Sequence, residues 1–242
     1  MEIHPFHTEH FFSLYEFTTP HLLCASDCEA LSVGELLRLA GADPTELLNL
    51  QLGYTESQGH PELRSAVAAL YERVSSDEVV MLGAPEEGIY LTMRALLEPG
   101  DHVVVLTPAY DSLLNLTAHI SGHVSRWPLR PRLGGWSLDL DELERLITDD
   151  TRLVVVNFPH NPTGYLPVAA EFDALIDIVR QHGAWLLCDE MYRGLERNPA
   201  DRLPSAADRY ERAIVLSGLS KTYGLPGLRT GWLIVHDPTT RA

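Results

Sequence analysis

Six short apolar runs constrain this chain more than any other feature: Val79 to Leu82, His102 to Leu106, Arg152 to Asn157, Ala184 to Cys188, Ala213 to Leu216 and Trp232 to Val235. Their hydrophobic residues follow one another without the polar alternation of a sheet that has one wet face. A strand reads this way when both of its faces are covered, and in a parallel sheet helices provide the cover. The stretches between the runs have helical spacing. Helices are expected from Pro61 to about Val74, from Pro85 onward, over Ser112 to Ser121, over Asp141 to Thr148 and over Val168 to His182, with one more strand near Val124 to Trp127. This alternation over roughly residues 79 to 235 predicts an α/β fold, a mostly parallel sheet sandwiched by helices.

With 242 residues, 45% of them hydrophobic, the chain can bury a large core as one domain with an attached arm. Residues 1–50 hold two amphipathic pieces, His10 to Phe17 and Ser32 to Ala40, around a Cys/Asp/Pro connector, and read as the arm. Residues 51–242 read as the large domain. The formal charge of −16 argues against a nucleic-acid or anionic-membrane surface and leaves small molecules and protein partners. Cys24, Cys28 and Cys188 are too few for a disulfide framework and fit a reduced, cytoplasmic protein. His4, His7, His10 and His21 match no metal-ligand spacing. No run is long enough to cross a membrane, and the start is too polar for a signal peptide.

Lys221 is the chain's single lysine among 18 basic residues. Lysine, unlike arginine, can lose its proton and form an imine with an aldehyde. Around it stand Ser220, Gly224, Gly227, Arg229 and Gly231, small residues and phosphate-binding side chains. An imine-forming lysine beside a phosphate clamp points to pyridoxal 5'-phosphate, which carries an aldehyde and a phosphate on one ring. The turn Gly83-Ala84-Pro85-Glu86 joins a strand to a helix start, where unpaired amides make an anion site. Tyr110 follows the strand His102 to Leu106, where an aromatic either lies on a ligand ring or packs in the core. Asp189 ends the strand Ala184 to Cys188 and needs a cationic partner if it is buried. A protonated pyridine nitrogen is such a partner.

The stretch S-G-L-S-K-T-Y-G-L-P-G-L-R-T-G-W (Ser217 to Trp232), the turn Asn161-Pro162-Thr163-Gly164, the motif Asp189-Glu-Met-Tyr192 and the block Leu52 to Arg64 together resemble the class I/II, fold-type-I aminotransferases. Asp189 lies 28 residues after Asn161 and 32 before Lys221, so the motifs recur at successive strand ends. The resemblance implies a pyridoxal-phosphate large domain in which Lys221 carries the cofactor. It gives Asp189 the ring nitrogen, Asn161 and Tyr192 the phenolic oxygen, and Tyr110 the ring face. Ala84, Pro85, Glu86, Ser220 and Arg229 fall to the phosphate, together with Tyr54 from a partner subunit, so that a homodimer is expected. Proline after Asn161 fixes an unusual backbone there, through a cis bond or otherwise.

The departures are specific. Thr230 stands where an aliphatic residue is usual, Gly218 where many members carry a phosphate-binding Ser or Thr, and Pro85 and Glu86 where small polar residues are common. The family's Gly-Glu-Pro type opening is not recognisable in the arm. Nothing in the 242 residues stands for the family's smaller C-terminal domain, which supplies the arginine for the substrate carboxylate, so that domain is expected to be absent. The resemblance implies transamination between amino-acid and 2-oxo-acid substrates. The runs R-L-V-V-V-N-F-P-H-N-P-T-G, W-P-L-R-P and L-S-K-T-Y-G-L-P-G-L-R are similar to the branch that includes capreomycidine synthase, which implies a lyase or cyclase as the alternative. A non-catalytic effector-binding domain and an inactive dimer partner are the remaining readings.

Overall fold

The computed structural model describes residues 4–241. The chain opens with α1 (His7–Tyr15), α2 (Val33–Ala40) and α3 (Pro44–Leu48), none of which buries a residue. Ser32 and Glu35 form a capping box at the start of α2, and Gly41 ends it in the left-handed conformation, φ 63°. Next come α4 (Pro61–Ala68), β1 (Val79–Leu82), α5 (Pro85–Leu96), β2 (His102–Thr107), α6 (Asp111–Ser121) and β3 (His123–Pro128). A small ribbon, β4 (Arg130–Arg132) and β5 (Gly135–Ser137), precedes α7 (Leu140–Leu146), β6 (Thr151–Asn157), α8 (Ala169–Gln181) and β7 (Trp185–Asp189). β8 (Ala213–Gly218), β9 (Gly231–Val235) and α9 (Pro238–Arg241) complete the order.

Seven strands form one sheet in the order β1-β9-β8-β7-β6-β2-β3. The neighbours from β8 through β3 pair in parallel, while β9 is antiparallel to both β8 and β1. Parallel pairing needs a crossover, and the connection from β8 to β9 holds no α-helix, only a 3₁₀ turn at Pro226–Leu228. β9 therefore returns directly beside β8. β1, antiparallel to β9, points the same way as β8, so its C-terminal end lies on the same edge as the ends of the parallel strands.

Alternate residues of each strand enter opposite cores. Val104, Leu106, Val154, Val156, Leu186 and Val215 pack with Phe172, Leu175 and Val179 of α8 and with Leu143 of α7. Val103, Val105, Leu153, Val155, Leu187 and Ile214 pack with Ile89 and Met93 of α5 and Leu113 of α6. Both strand faces are dry, which is why the runs show no polar alternation.

Two expectations need correction. The helix starting at Pro61 ends at Ala68 rather than near Val74, because Asp208 Oδ1 accepts the amides of Glu72 at 3.0 Å and Arg73 at 2.8 Å. Those amides would otherwise bond carbonyls four residues back, and the buried carboxylate competes for them successfully. The β4–β5 ribbon, in which Pro131 stands opposite Trp136, was not anticipated.

Candidate active site

In an open α/β sheet, ligands bind beyond the carboxyl ends of the strands. That edge here carries Tyr110 after β2, Asn157 to Asn161 after β6, Asp189 to Tyr192 after β7, Ser220 and Lys221 after β8, and Gly83 to Glu86 after β1. The loop bearing Lys221 is tied across its base: Leu219 N–H donates to Thr230 O at 3.0 Å and Leu225 N–H to Leu219 O at 3.0 Å. Thr222 Oγ1 joins it to the Tyr192 loop by donating to Arg193 O at 2.9 Å. Ser220 is buried and Lys221 is largely covered, its side chain 20% exposed.

Asp189 is buried, and one carboxylate oxygen accepts Met191 N–H at 3.0 Å. Burial pushes its pKa up to about 7; the Met191 amide opposes this, Glu86 adds to it, and the charge of Lys221 offsets part. It has no ion-pair partner among the described residues, so the cost of burying its charge is offset only in part. Asn157 holds two motifs together: Nδ2 donates to Asp189 O at 2.8 Å and Oδ1 accepts Asn161 N–H at 2.7 Å. The Asn161–Pro162 bond is cis. Burial raises the Tyr192 hydroxyl pKa, and the Ser26 hydroxyl and Lys221 partly oppose the rise.

At the turn after β1, Ala84 is the N-cap of α5 and offers no side-chain cap, while Glu87 accepts Gly83 N–H at 2.9 Å. Pro85 lies against the lysine loop. A Cβ on Gly218 would stand 2.9 Å from Pro85 Cγ and 3.0 Å from Thr230 O, and one on Gly231 2.9 Å from Pro85 N. The missing side chain at Gly218 thus lets the turn after β1 and the strand leading to Lys221 touch, and it accounts for the departure seen in the sequence. Burial raises the Glu86 pKa; Ser112 opposes that and Glu9 adds to it.

Residues 32–242 match the profile of the family described as Aminotransferase class I and II. The chain belongs to this family. Capreomycidine synthase of Streptomyces vinaceus is 39% identical over 215 residues, 88% of this chain and 55% of its own length. The crystal structure of a PLP-dependent aminotransferase from Streptococcus suis 89-1591 covers 100% of this chain and 64% of its own, with a TM-score of 0.92 at 29% identity. That of the PLP-dependent cyclase OrfR covers 97% and 61%, with a TM-score of 0.87 at 30% identity. The chain spans about half the length of the curated relatives it matches.

For a class I and II aminotransferase chain, the expected cofactor set is largely gathered in one place. Lys221, Asp189, Tyr192, Asn161, Tyr110 and Ser220 stand on neighbouring strand ends with Ala84, Pro85 and Glu86. The donor set fits pyridoxal phosphate: an imine-forming amine, a buried carboxylate lacking a cation, and a helix start facing the glycines of the lysine loop. Arg229 and Tyr54 are not drawn into it. Arg229 is exposed in the left-handed conformation, φ 50°, and its guanidinium donates to Pro226 O at 3.2 Å. Tyr54 is fully exposed.

The amino-terminal segment also contributes residues that sequence reasoning missed. Tyr110 Oη donates to Glu9 Oε1 at 3.2 Å, and Phe6 lies edge-on to the Tyr110 ring at 5.1 Å. Lys221 Nζ donates to Asp27 and, at 3.3 Å, to Ser26 Oγ. Cys28 Sγ donates to Lys221 O at 2.6 Å, and Leu31 N–H to Gly224 O at 3.0 Å. No local pattern marks Glu9 or Asp27, because their partners lie about a hundred and two hundred residues away. Asn157 was detectable in principle, as the polar end of an apolar run.

Proposed function

We propose that this chain is the cofactor-binding part of a pyridoxal-phosphate-dependent aminotransferase that uses amino-acid and 2-oxo-acid substrates. The observation that carries the reading is the chain's single lysine at the end of β8, beside a buried, cation-lacking aspartate at the end of β7. Pyridoxal phosphate, when bound, supplies an aldehyde for amine exchange and a ring that accepts electron density.

The protein's own groups do the rest. Lys221 Nζ would hold the cofactor at its aldehyde and, when free, would move a proton at the substrate α-carbon. Asp189 keeps a proton on the ring nitrogen. Asn161 and Tyr192 bind the phenolic oxygen, and Tyr110 covers the ring face. Ser220 and the amides of the Ala84–Glu86 turn bind the phosphate, with Tyr54 reaching it from a second copy; Arg229 would join them only by leaving Pro226 O. Leu50, Leu52 and Tyr54 are all exposed, which supports a homodimer that covers them. No helix among the described residues is long and apolar enough to cross a membrane, and the three cysteines are free, which supports a cytoplasmic protein. Residues 1–50 serve as an arm on the large domain.

Loading the protein with pyridoxal phosphate should give a near-visible band that borohydride fixes onto Lys221, and Lys221→Ala should abolish it. An unchanged spectrum in the variant would sink the assignment. The similarity to capreomycidine synthase and to the cyclase OrfR favours a second reading, a lyase or cyclase on the same site. Product that requires an added 2-oxo acid supports transamination; product formed without an amino acceptor supports cyclisation.

A further inference from the structure

The sheet fixes the place of Asp189 but not that of Lys221. Asp189 closes β7 in register with Leu216 of β8, and Glu190 N–H donates to Leu216 O at 2.8 Å. Beyond that bond the two strands part, and Ser217 Oγ reaches Glu190 O only at 3.5 Å. Lys221 comes later still, in the loop past Gly218, where no ladder bond ties it to β7. Two turns leave this edge, each braced from within. After β7, Arg193 N–H donates to Glu190 O and Leu195 N–H to Tyr192 O, both at 3.0 Å. After β8, Gly224 N–H donates to Lys221 O at 3.1 Å and Leu225 N–H to Leu219 O at 3.0 Å. Cys28 Sγ and Leu31 N–H bind the second turn to the amino-terminal segment, not to the Asp189 turn.

Among the described residues, the hydrogen bonds that join one turn to the other both leave Thr222 Oγ1, 2.9 Å from Arg193 O and 3.2 Å from Met191 O. A hydroxyl has one proton, so the two carbonyls share it. The methyl is seated too: a Cβ on Gly194, at φ 103°, would stand 2.7 Å from Thr222 Cγ2. Thr222 thus grips, one peptide from Lys221, the carbonyl of the residue whose N–H holds the Asp189 carboxylate at 3.0 Å. Resting on the cofactor reading above, we infer that Thr222 is a positioning residue, its hydroxyl setting the separation of Lys221 from Asp189 to the span of one pyridoxal ring. The aldehyde and the nitrogen stand on opposite sides of that ring, and the ring is rigid, so an amine and a carboxylate that answer both must be held at one distance. Strand register does not supply it, because the loop carrying Lys221 has left the β7 ladder.

Pyridoxal phosphate is achiral, so its near-visible band shows circular dichroism only as far as the protein fixes the ring. The ratio of that dichroism to the band's absorbance does not depend on how much cofactor is bound, so a general loss of stability or affinity cancels. Thr222→Val removes the hydroxyl and keeps the branched shape against Gly194, and it should lower the ratio about twofold or more. Thr222→Ser keeps the hydroxyl and drops the methyl, and it should leave the ratio near that of the unmodified protein. A ratio unchanged in Thr222→Val, or lowered equally in Thr222→Ser, overturns the inference: the ring is then held without the hydroxyl, or the residue acts by packing alone. Should Thr222→Val not fold, Thr222→Ala replaces it, since Ala and Ser differ only in the hydroxyl. Absence of a visible band on loading the unmodified protein is instead the failure of the cofactor reading, and it removes this inference with it.

Discussion

Replacing Asp189 by asparagine should stabilise the cofactor-free protein at neutral and alkaline pH. Burial raises this carboxyl from 3.8 to about 7, the charge of Lys221 offsetting only part of the rise and no ion pair forming with it. In the window between those values the unfolded chain has lost the proton and the folded chain keeps it, so the folded state binds more protons and stability falls as pH rises. At about 1.36 kcal/mol per unit, the charge costs about 4 kcal/mol once the pH is above 7. Asparagine has nearly the same shape and retains an oxygen for the Met191 amide, but carries no charge to bury. Urea unfolding of the variant and the parent, with cofactor removed, should show the variant ahead by about 2 kcal/mol near pH 5 and about 4 kcal/mol near pH 8. A difference independent of pH, or a variant weaker than the parent near pH 8, would refute the argument that this carboxylate is stored without a partner. With pyridoxal phosphate bound the order should reverse, because only the aspartate can pair with a protonated ring nitrogen.

Gly218→Ser forces a side chain against Pro85 and Thr230 O and should cost about 1 to 3 kcal/mol in thermal unfolding; an unchanged melting temperature would mean that the turn and the lysine loop are not in contact. Asn157→Ala strips the partner from the Asn161 amide and one of two donors from the Asp189 carbonyl, which keeps Phe158 N–H, and should cost about 1 to 3 kcal/mol by denaturant titration, with an unchanged midpoint counting against the role. Gly224→Ala places a β-carbon in a left-handed residue facing Glu29 O, a strain of about 1 to 2 kcal/mol. Amide exchange at Leu31 should accelerate while Val215 in β8 stays protected; equal protection at Leu31 would show that the crossing does not need glycine.

Most of the architecture was legible because covered parallel strands leave a one-dimensional trace. The run His102 to Leu106 needs no partner to be read, since both neighbouring layers demand apolar residues at every position. The candidate site residues stand out in the sequence for a related reason. Asn161, Asp189 and Lys221 sit at strand ends in short motifs whose spacing is set by the βα repeat. What escaped was non-local. The helix from Pro61 stops at Ala68 because Asp208, some 135 residues away, takes its amides, and no propensity in the helix itself records that. Gly218 looked like a lost phosphate ligand until Pro85 was seen against it.

The sequence by itself determined which strands are covered, which residues end them, and that the one lysine stands just past the end of the run Ala213 to Leu216. Those properties follow from the order of side chains along the chain. Tertiary structure alone decided that β9 runs backward, that the turn after β1 meets the lysine loop, and that Glu9 and Asp27 reach a site built by residues far from them. Such contacts depend on how separate elements pack in three dimensions, and a carboxylate that will face Lys221 looks locally like any other solvated acid until the backbone beside it is anchored.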